Sequence, residues 1–343
     1  MKLLKQILII LIVFFKTGNL LSENNIFNVN NILLNKKDNL SNNQLASKAI
    51  KEAFDQLLKR ILLKNDIQKI SELNYSNIRE LVAYYNISKK SNNDDVIFNV
   101  SFDKDKIHNL FYEKEILYSG LVDKDFYVLP IFVKQGEIYI FSNNYFYKYW
   151  NEFNNEDLLE FILPLENIEI IHSINKYRNN LLDVSLDSIF KEYADKNIAI
   201  VLIEEDELNT EKIYLKTKIQ GKFISKNLNI KKYIKENSSK NEIISLLKVE
   251  ITNLVKSKNL IDIRTPSFIN VKLDLNKKNN LVFFNSKIKK IDLIEEIYVL
   301  EFNKDYVNIR IKYLGTLERI ISQLKTDKII LQLANDEWLI KNL

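Results

Sequence analysis

Residues 267–333 constrain the fold more than any other part of the chain. Turn-forming residues separate strand-like and helix-like patterns there, and each pattern has the length of one element. The predicted elements are strand Ser267–Leu275, helix Leu281–Ile291, strand Glu295–Phe302, strand Tyr306–Tyr313, helix Thr316–Leu324 and strand Lys328–Leu333. This β-α-β-β-α-β order predicts a ferredoxin-like unit at the C-terminal end.

The strand at 306–313 also predicts how that sheet is covered. Its apolar members are Val307, Ile309, Ile311 and Tyr313, and they alternate with Asn308, Arg310 and Lys312. Because successive side chains of a strand point to opposite faces, we expect one covered and one wet face.

A hairpin followed by an aromatic helix is predicted near the middle of the chain. A hydrophobic strand through Phe132 leads to a turn at Gln135 and Gly136, and a second strand covers Glu137–Phe141. The aromatic run that follows is Tyr145, Phe146, Tyr147, Tyr149, Trp150 and Phe153. We expect this run to fill a core, and an exposed recognition patch is the alternative.

The remaining patterns indicate an α+β protein of several domains, with small sheets covered by helices. An amphipathic helix with alanine spacing lies between Leu45 and Leu62, and a strand, a hairpin and a long helix are predicted between residues 198 and 258. Leu158–Leu163 has a helical pattern. The predicted boundaries are 1–22 for a signal peptide, 23–143 for an N-terminal α+β domain, 144–262 for a middle α+β domain and 263–343 for the C-terminal ferredoxin-like domain.

The first residues predict export. Lys2 and Lys5 precede an apolar run from Ile7 to Phe15, which is the n-region and h-region of a secretory signal and is short for a membrane span. The residues before Ser22 form a poor cleavage site, so the alternative is an uncleaved leader that anchors the chain to the inner membrane. We expect a periplasmic protein with no transmembrane span in its mature part.

Charge argues against a nucleic-acid partner. The formal net charge is +5, and removal of the leader through Ser22 takes three lysines and no acid, which leaves +2. A nearly neutral chain lacks the broad positive field that drives nucleic-acid binding. Residues 212–290 nevertheless hold nineteen basic against five acidic residues. That segment predicts either a generic lysine-rich surface or a patch that meets anionic lipid or an acidic partner.

The residues for several common chemistries are missing. The chain has no cysteine, which excludes disulfides, thiolate metal sites and a lipid-modified cysteine. Its five glycines are isolated, so it has no phosphate-binding loop. The two histidines, His108 and His172, fall in predicted helices without a nucleophile motif, and a structural role is expected for both. We predict no catalytic residue, no cofactor and no metal site.

Carboxylates leave one kind of enzyme open. The densest acidic run is Glu204–Glu207, which we expect to form a solvated loop, with a weak cation site as the alternative. Asp94 and Asp95 suit a turn, and Asp103 suits a helix cap. A carboxylate-dependent hydrolase would need two acids that converge in a cleft, with the pKa of one raised by burial.

Weak motifs along the chain carry a family resemblance. They include the alanines at 46, 49 and 53, Val100 to Asp103, Leu129 with Pro130, Trp150, Pro164 with Leu165, Tyr193 with Ala194, Tyr313 with Gly315, and Trp338. In these positions, over about residues 26–340, the chain resembles an uncharacterised bacterial family of exported proteins, catalogued as domain of unknown function twenty sixty-six. It departs at Glu166 and Asn167, where the family's outline has Gly and Asp.

The resemblance implies an envelope protein and supplies no activity. We therefore expect a non-catalytic binding or assembly protein whose partner is an envelope protein or a lipid surface. The alternatives are a carboxylate-dependent hydrolase of an envelope polymer and a small-molecule carrier with an apolar pocket lined by the aromatics.

Overall fold

The computed structural model describes residues 26–35, 41–89, 95–120, 124–152, 158–205, 211–228, 239–275, 280–334 and 337–342. They form an α+β protein with several small sheets. The chain divides into two compact units. Unit 1 combines Met1–Val122 with Asn259–Leu343, and unit 2 is the continuous segment Asp123–Lys258. The predicted leader at 1–22 and Asp94 lie outside the described residues.

Unit 1 contains both termini. Its elements are β1 (Asn28–Asn35), α1 (Asn42–Ile61), α2 (Lys64–Gln68), α3 (Tyr75–Glu80), β2 (Val82–Lys89), β3 (Asp95–Phe102), α4 (Lys104–Glu113) and β4 (Tyr118–Ser119). Unit 2 follows in the chain, and its elements are described below. Unit 1 then continues with β11 (Leu260–Ile261), β12 (Ser267–Asp274), α9 (Asn280–Ile288), β13 (Ile294–Phe302), β14 (Tyr306–Tyr313), α10 (Leu317–Thr326), β15 (Ile330–Ala334) and β16 (Glu337–Asn342).

The N-terminal part of unit 1 is an antiparallel sheet of order β1-β3-β2 with α1 packed on it. Ser41 and Gln44 form a reciprocal capping box that begins α1, since each side chain accepts from the other residue's backbone N–H. Three fully or nearly buried alanines, at 46, 49 and 53, share the inner face of α1 with larger buried residues such as Phe54 and Leu57. The predicted amphipathic helix is confirmed.

The C-terminal part of unit 1 is a five-stranded sheet of order β13-β14-β12-β16-β15. Strand β12 pairs with β14 antiparallel and with β16 parallel. The predicted order β-α-β-β-α-β is present with one strand more. The segment predicted as the last strand is β15 at the far edge, and β16 takes the place beside β12. The structure therefore has a hairpin of β15 and β16 where the sequence predicts a single strand. Strand β16 takes the inner position because it contributes the buried Ile340 and the half-buried Trp338, whereas most of β15 is exposed.

One hydrophobic core joins the two parts of unit 1. Phe27, Phe102 and Tyr118 belong to the same buried cluster as Val307 and Ile309 of β14. Strands β4 and β11 also pair with each other. The predicted boundaries give residues 23–143 and 263–343 a core each, whereas in the structure residues between 27 and 118 share one core with residues between 261 and 340. A β-sheet and its covering helices stabilise each other only where apolar surface is buried, and here that surface comes from both ends of the chain.

Unit 2 is built around one sheet. Its elements are β5 (Asp125–Lys134), β6 (Glu137–Tyr139), α5 (Tyr145–Tyr149), β7 (Glu160–Ile162), α6 (Ile168–Lys176), α7 (Leu186–Ile189), β8 (Asn197–Glu205), β9 (Glu211–Ile219), β10 (Lys222–Leu228) and α8 (Lys240–Lys258), together with three short 3-10 turns. The sheet order is β10-β9-β8-β5-β6, and β7 pairs with β5 as well.

The central hairpin belongs to this sheet rather than to the N-terminal part. Strand β5 pairs in parallel with β8 along nine residues, from Phe126 opposite Asn197 to Lys134 opposite Glu205. The predicted turn is confirmed, and both of its residues take positive φ, 52° at Gln135 and 76° at Gly136. Such a two-residue turn matches the right-handed twist of the strands. Because β5 and β8 are partners, the unit boundary falls before β5 and not after the hairpin.

Two predictions for unit 2 have different outcomes. The aromatic run packs inside, with Phe146 and Trp150 completely buried and Tyr145 and Tyr147 half-buried, so it is core and not a recognition patch; Phe153 lies outside the described residues. The helical prediction for Leu158–Leu163 is wrong, because this segment contains β7, paired in parallel with β5. Pro164 disfavours a helical conformation at the residue before it, which is consistent with an extended segment.

Candidate functional site

The most exposed apolar strand of unit 1 is β13, at one edge of the five-stranded sheet. Its first residue, Ile294, is buried, but Tyr298, Val299, Leu300 and Phe302 keep 40, 49, 50 and 44 % of their surface exposed. Single exposed apolar residues are common on proteins, whereas four within five positions of one strand are not. We call residues Tyr298–Phe302 the exposed half of β13.

The register with β14 shows where these side chains lie. Val299 and Phe302 pair with Ile309 and Val307, which are fully buried under the helices, so all four share the covered face of the sheet. Tyr298 lies on the opposite, open face with Glu301. Leu300 is the extra residue of a bulge between Val299 and Glu301.

The outer edge of β13 has no strand partner among the described residues, since β14 is its one neighbour in the sheet order. An edge strand offers unpaired backbone N–H and C=O groups to any extended chain that comes alongside. Natural sheets protect such edges with charges and bulges. Strand β13 has both, yet its exposed half is mainly apolar.

Glu301 is the charged group of the exposed half. Its carboxylate accepts hydrogen bonds from Tyr306 Oη at 2.8 Å, Asn308 Nδ2 at 2.8 Å and Asn303 Nδ2 at 3.5 Å. All three donors are neutral, and no described cation lies within ion-pair distance of Glu301. Glu296, by contrast, has Lys312 Nζ at 3.4 Å from Oε1.

Helix α9 adds apolar surface at the same end of the sheet. Asp274, the last residue of β12, pairs with Tyr306, and Phe302, the last residue of β13, pairs with Val307, so these two strands end at the same level on either side of β14. Helix α9 begins soon after β12, and its first turns expose Val282 and Phe283. The exposed half of β13 and the start of α9 are therefore at the same end of the sheet.

The other half of β13 is held by a partly buried charge cluster. Lys104 Nζ of α4 lies 3.0 Å from Glu295 Oε1 and donates to the backbone oxygen of Ile294 at 3.0 Å. His108 Nδ1, one turn further along α4, is 3.3 Å from the same Glu295 oxygen, although the hydrogen-bond angle is not met. Nearby, the backbone N–H of Ile26 donates to Asp292 Oδ2 at 3.4 Å.

The two carboxyl groups of this cluster have pKa values that move in opposite directions. Burial raises the pKa of Glu295, but His108 and the Lys104 ammonium outweigh it, and the pKa falls to about 2. Burial is also the largest influence on Asp292, and there it prevails over the backbone hydrogen bond and over Lys104, so the pKa of Asp292 is raised. Glu295 is therefore ionised at neutral pH in a site that supplies its own cation.

Aromatic rings close the space around the cluster. His108 packs edge-on against Phe27, with ring centroids 5.5 Å apart, and its ring is tilted by 39° against that of Tyr118, with centroids 5.3 Å apart. Tyr118 is buried, and desolvation raises the pKa of its hydroxyl. Burial lowers the pKa of Arg319 to about 10, and Arg319 Nη1 donates to the backbone oxygen of Asn259 at 3.1 Å. The cluster is thus a packed, charged contact inside unit 1.

Unit 2 has a small cavity at the carboxyl ends of β5 and β8. Its volume is about 240 Å³, and its lining includes Val133, Ile138, Arg178, Glu204 and Tyr214. Ligand pockets are commonly about 300–1,000 Å³. Tyr214 is the one aromatic residue in this lining, and the central aromatic run does not contribute to it. This cavity is therefore not the aromatic-lined pocket that the carrier hypothesis predicts.

The acidic candidates from the sequence are dispersed. Glu204 and Glu205 end strand β8 rather than forming a loop, and Glu205 Oε1 lies 2.6 Å from Lys134 Nζ; residues 206 and 207 are outside the described ranges. Asp95 begins β3 instead of a turn, because it pairs with Asn35 of β1. Asp103 caps α4 as predicted and accepts from the backbone N–H of Lys106.

The two histidines lie in different parts of the structure, and so do the lysines of residues 212–290. His172 is exposed on α6, whereas His108 is in the cluster. Residues 212–290 are divided between the two units. Several of their lysines have partners in the same unit: Lys216 donates to the backbone oxygens of Leu182 and Val184, and Lys226 pairs with Glu250.

Comparisons of the chain with models of known protein families, with curated proteins and with solved structures find no match. Among the described residues, no helix combines the length and the apolar character that a bilayer crossing requires.

The sequence reasoning missed both features of β13. Tyr298, Val299 and Leu300 are three consecutive apolar residues, which break the alternation of a half-buried strand and are equally typical of a strand buried on both faces. Nothing local shows that this strand lies at an edge. The cluster was missed because Lys104 and Glu295 are far apart in the chain, and single-sequence patterns carry no information on such pairs.

Proposed function

We propose that the chain is an exported, non-catalytic binding protein that docks another envelope component along the exposed half of β13. The observation that carries this proposal is the row of four large apolar side chains on an edge strand. Such an edge is a site for aggregation unless it is covered, and a partner strand covers both the backbone groups and the side chains.

The charge cluster supports the proposal because it fixes the strand before a partner arrives. Lys104 holds Glu295 and the backbone of Ile294, immediately before the exposed half begins. A strand that is already extended loses less conformational entropy on binding than a loop of the same length. The first residues of β13 thus hold the exposed half of the strand in an extended conformation.

The proposed compartment rests on the sequence. The leader predicted at 1–22 and the resemblance to exported proteins support a location in the periplasm, or at the outer face of the inner membrane if the leader is retained. Fractionation of cells that express a C-terminally tagged chain tests this point. Full-length tagged protein in the cytosol, with the leader attached and no membrane association, would contradict it.

Capture of partners from an envelope fraction tests the docking proposal. The bait is the mature chain in three versions: the natural sequence, Leu300→Lys and Leu333→Lys. Leu333 is the matched control, because it is a leucine of similar exposure, 54 %, on β15 at the other edge of the same sheet. We expect a stoichiometric protein partner that Leu300→Lys loses and Leu333→Lys retains.

Three results would count against docking at β13. The first is repeated absence of any stoichiometric partner, and the second is a partner retained equally by both variants. The third is binding of the natural chain to vesicles of anionic lipid that neither substitution weakens, which would place the lysine-rich segment, and not β13, at the interface.

A carboxylate-dependent hydrolase is the second candidate, and one observation favours it. The pKa values of Asp292 and Glu295 are displaced in opposite directions, which is the pattern of an acid–base pair. Because the rings of Phe27 and Tyr118 pack around His108, a structural role for the charge cluster is favoured over a catalytic one. Release of soluble fragments from purified envelope polymer by the natural chain, but not by Asp292→Asn or Glu295→Gln, would establish the hydrolase.

A further inference from the structure

We infer that the occupant of β13 is an extended segment of a partner protein in which apolar residues alternate with lysine or arginine. This inference rests on the proposed docking function and adds the chemistry of the partner. The segment lies along the outer edge of β13 as a sixth strand, with its apolar side chains on the covered face of the sheet and its basic side chains on the open face.

The covered face of the sheet determines which residues of the partner segment are apolar. Val299 and Phe302 point to the side of the sheet on which Val307 and Ile309 are buried, but the edge position leaves them about half exposed. Every second side chain of an added strand would lie on this face beside them. Apolar residues at those positions would remove Val299 and Phe302 from water and extend the core by one strand.

The open face of the sheet determines which residues of the partner segment are basic. Glu301 is oriented by three neutral donors, so its charge is fixed in position, and no cation of the described residues lies within ion-pair distance of it. Tyr298 lies on the same face and donates to Glu296. A lysine or arginine on an added strand would meet Glu301 across the new strand pair, and cross-strand pairs of opposite charge are stabilising.

Charge also decides against a second copy of this chain. If the exposed halves of two copies paired antiparallel about Leu300, each Glu301 would face Val299 of the other copy, and the paired strands would carry glutamates and no cation. A partner with a basic residue at the position facing Glu301 supplies the missing cation instead. Electrostatic complementarity of this kind gives specificity more than affinity.

Two synthetic peptides of about eight residues, one strand length, test the pattern directly. In one, valine alternates with lysine, and in the other valine alternates with glutamate; fluorescence anisotropy of each labelled peptide is followed as the mature full chain is added. We expect the valine–lysine peptide to bind about three- to tenfold more tightly than the valine–glutamate peptide. Glu301→Gln should reduce that ratio, and Leu300→Lys should weaken binding of the valine–lysine peptide, while Leu333→Lys changes neither result.

The variants are compared by circular dichroism first, so that loss of binding is read only in folded protein. Equal affinity of the two peptides, or a ratio that Glu301→Gln leaves unchanged, would overturn the basic pattern. If an envelope partner is captured through β13 but neither peptide binds, the proposed function stands and this inference fails. A dimer of the chain in light scattering that Leu300→Lys dissociates would also overturn the inference, because the occupant would then be a second copy.

Discussion

Lys104 Nζ of α4 lies 3.0 Å from Glu295 Oε1 of β13, and both side chains keep 19 % of their surface exposed. This ion pair joins the N-terminal and C-terminal parts of unit 1 immediately before the strand becomes exposed. A half-buried pair of this kind fixes geometry more than it adds stability, because desolvation offsets much of the attraction.

Glu295→Gln should destabilise unit 1. Without the charge, Lys104 and His108 are left in a site that burial has partly desolvated, and the cost should be about 1–3 kcal/mol, between that of exposed and buried pairs. The measurement is chemical denaturation at neutral pH. An unchanged midpoint would show that water, and not Glu295, compensates Lys104.

The same variant has a defined pH signature. The pKa of Glu295 is lowered from 4.5 to about 2, so its contribution is complete above about pH 4.5 and is lost as the pH falls toward 2. The natural chain should therefore lose more stability than Glu295→Gln over that interval. Parallel curves for the two proteins between pH 5 and pH 2 would contradict the low pKa.

Asp292→Asn should act in the opposite sense. Burial raises the pKa of Asp292, so the ionised carboxylate costs stability at neutral pH, and that cost disappears as the pH falls through the raised pKa. The variant should be at least as stable as the natural chain at pH 7, and this advantage should shrink in acid. Denaturation midpoints at several pH values measure both effects.

Asp262 is the matched control for Asp292. Arg264 donates to both of its oxygens at 2.9 Å, and these side-chain hydrogen bonds lower the pKa of Asp262. Asp262→Asn should therefore lose, not gain, stability at pH 7. Gains in both variants would show that charge in general, and not burial at Asp292, governs the result.

Gly120→Ala should destabilise unit 1 through crowding. A Cβ at this position would lie 2.8 Å from Arg319 Nη2 and 2.9 Å from Ile261 Cδ1. Ile261 is buried and Arg319 is tied to the backbone oxygen of Asn259, so neither can move freely, and overpacking of this kind costs about 1–3 kcal/mol. A thermal midpoint equal to that of the natural chain would mean that the site relaxes.

Asn144→Ala should destabilise unit 2. Asn144 is fully buried; its Nδ2 donates to the backbone oxygen of Pro130 at 2.9 Å, and its Oδ1 accepts from the backbone N–H of Phe146 at 2.9 Å. Its removal leaves two buried backbone groups unpaired, at a cost of about 1–3 kcal/mol. Asn143→Ala next to it, on an exposed residue, should change stability by less than about 0.5 kcal/mol. Equal losses in both variants would contradict this role for Asn144.

Local patterns predicted the elements well where chemistry is local. The cap at Asp103 and the turn at Gln135 and Gly136 are both formed by neighbours in sequence, and both are present. Segment Leu158–Leu163 was misread because a short apolar run suits a helix and a strand equally, and pairing with β5 decides between them.

Long-range partnership could not be predicted in the same way. The parallel pairing of β5 with β8 and the core shared by the two parts of unit 1 depend on residues distant in sequence, and so does the pair of Lys104 and Glu295. The position of β13 at a sheet edge is likewise set by the order of strands. The candidate site therefore became visible only in the folded chain.

Amide hydrogen exchange across β13 tests the central claim most directly. The outer amides of the exposed half have no strand partner among the described residues, so they should exchange quickly in the free chain. On addition of the captured envelope partner, we predict that exchange slows within Ile294–Phe302 and stays unchanged in β15, Ile330–Ala334. Protection elsewhere, with β13 exchanging as fast as before, would contradict docking at this strand.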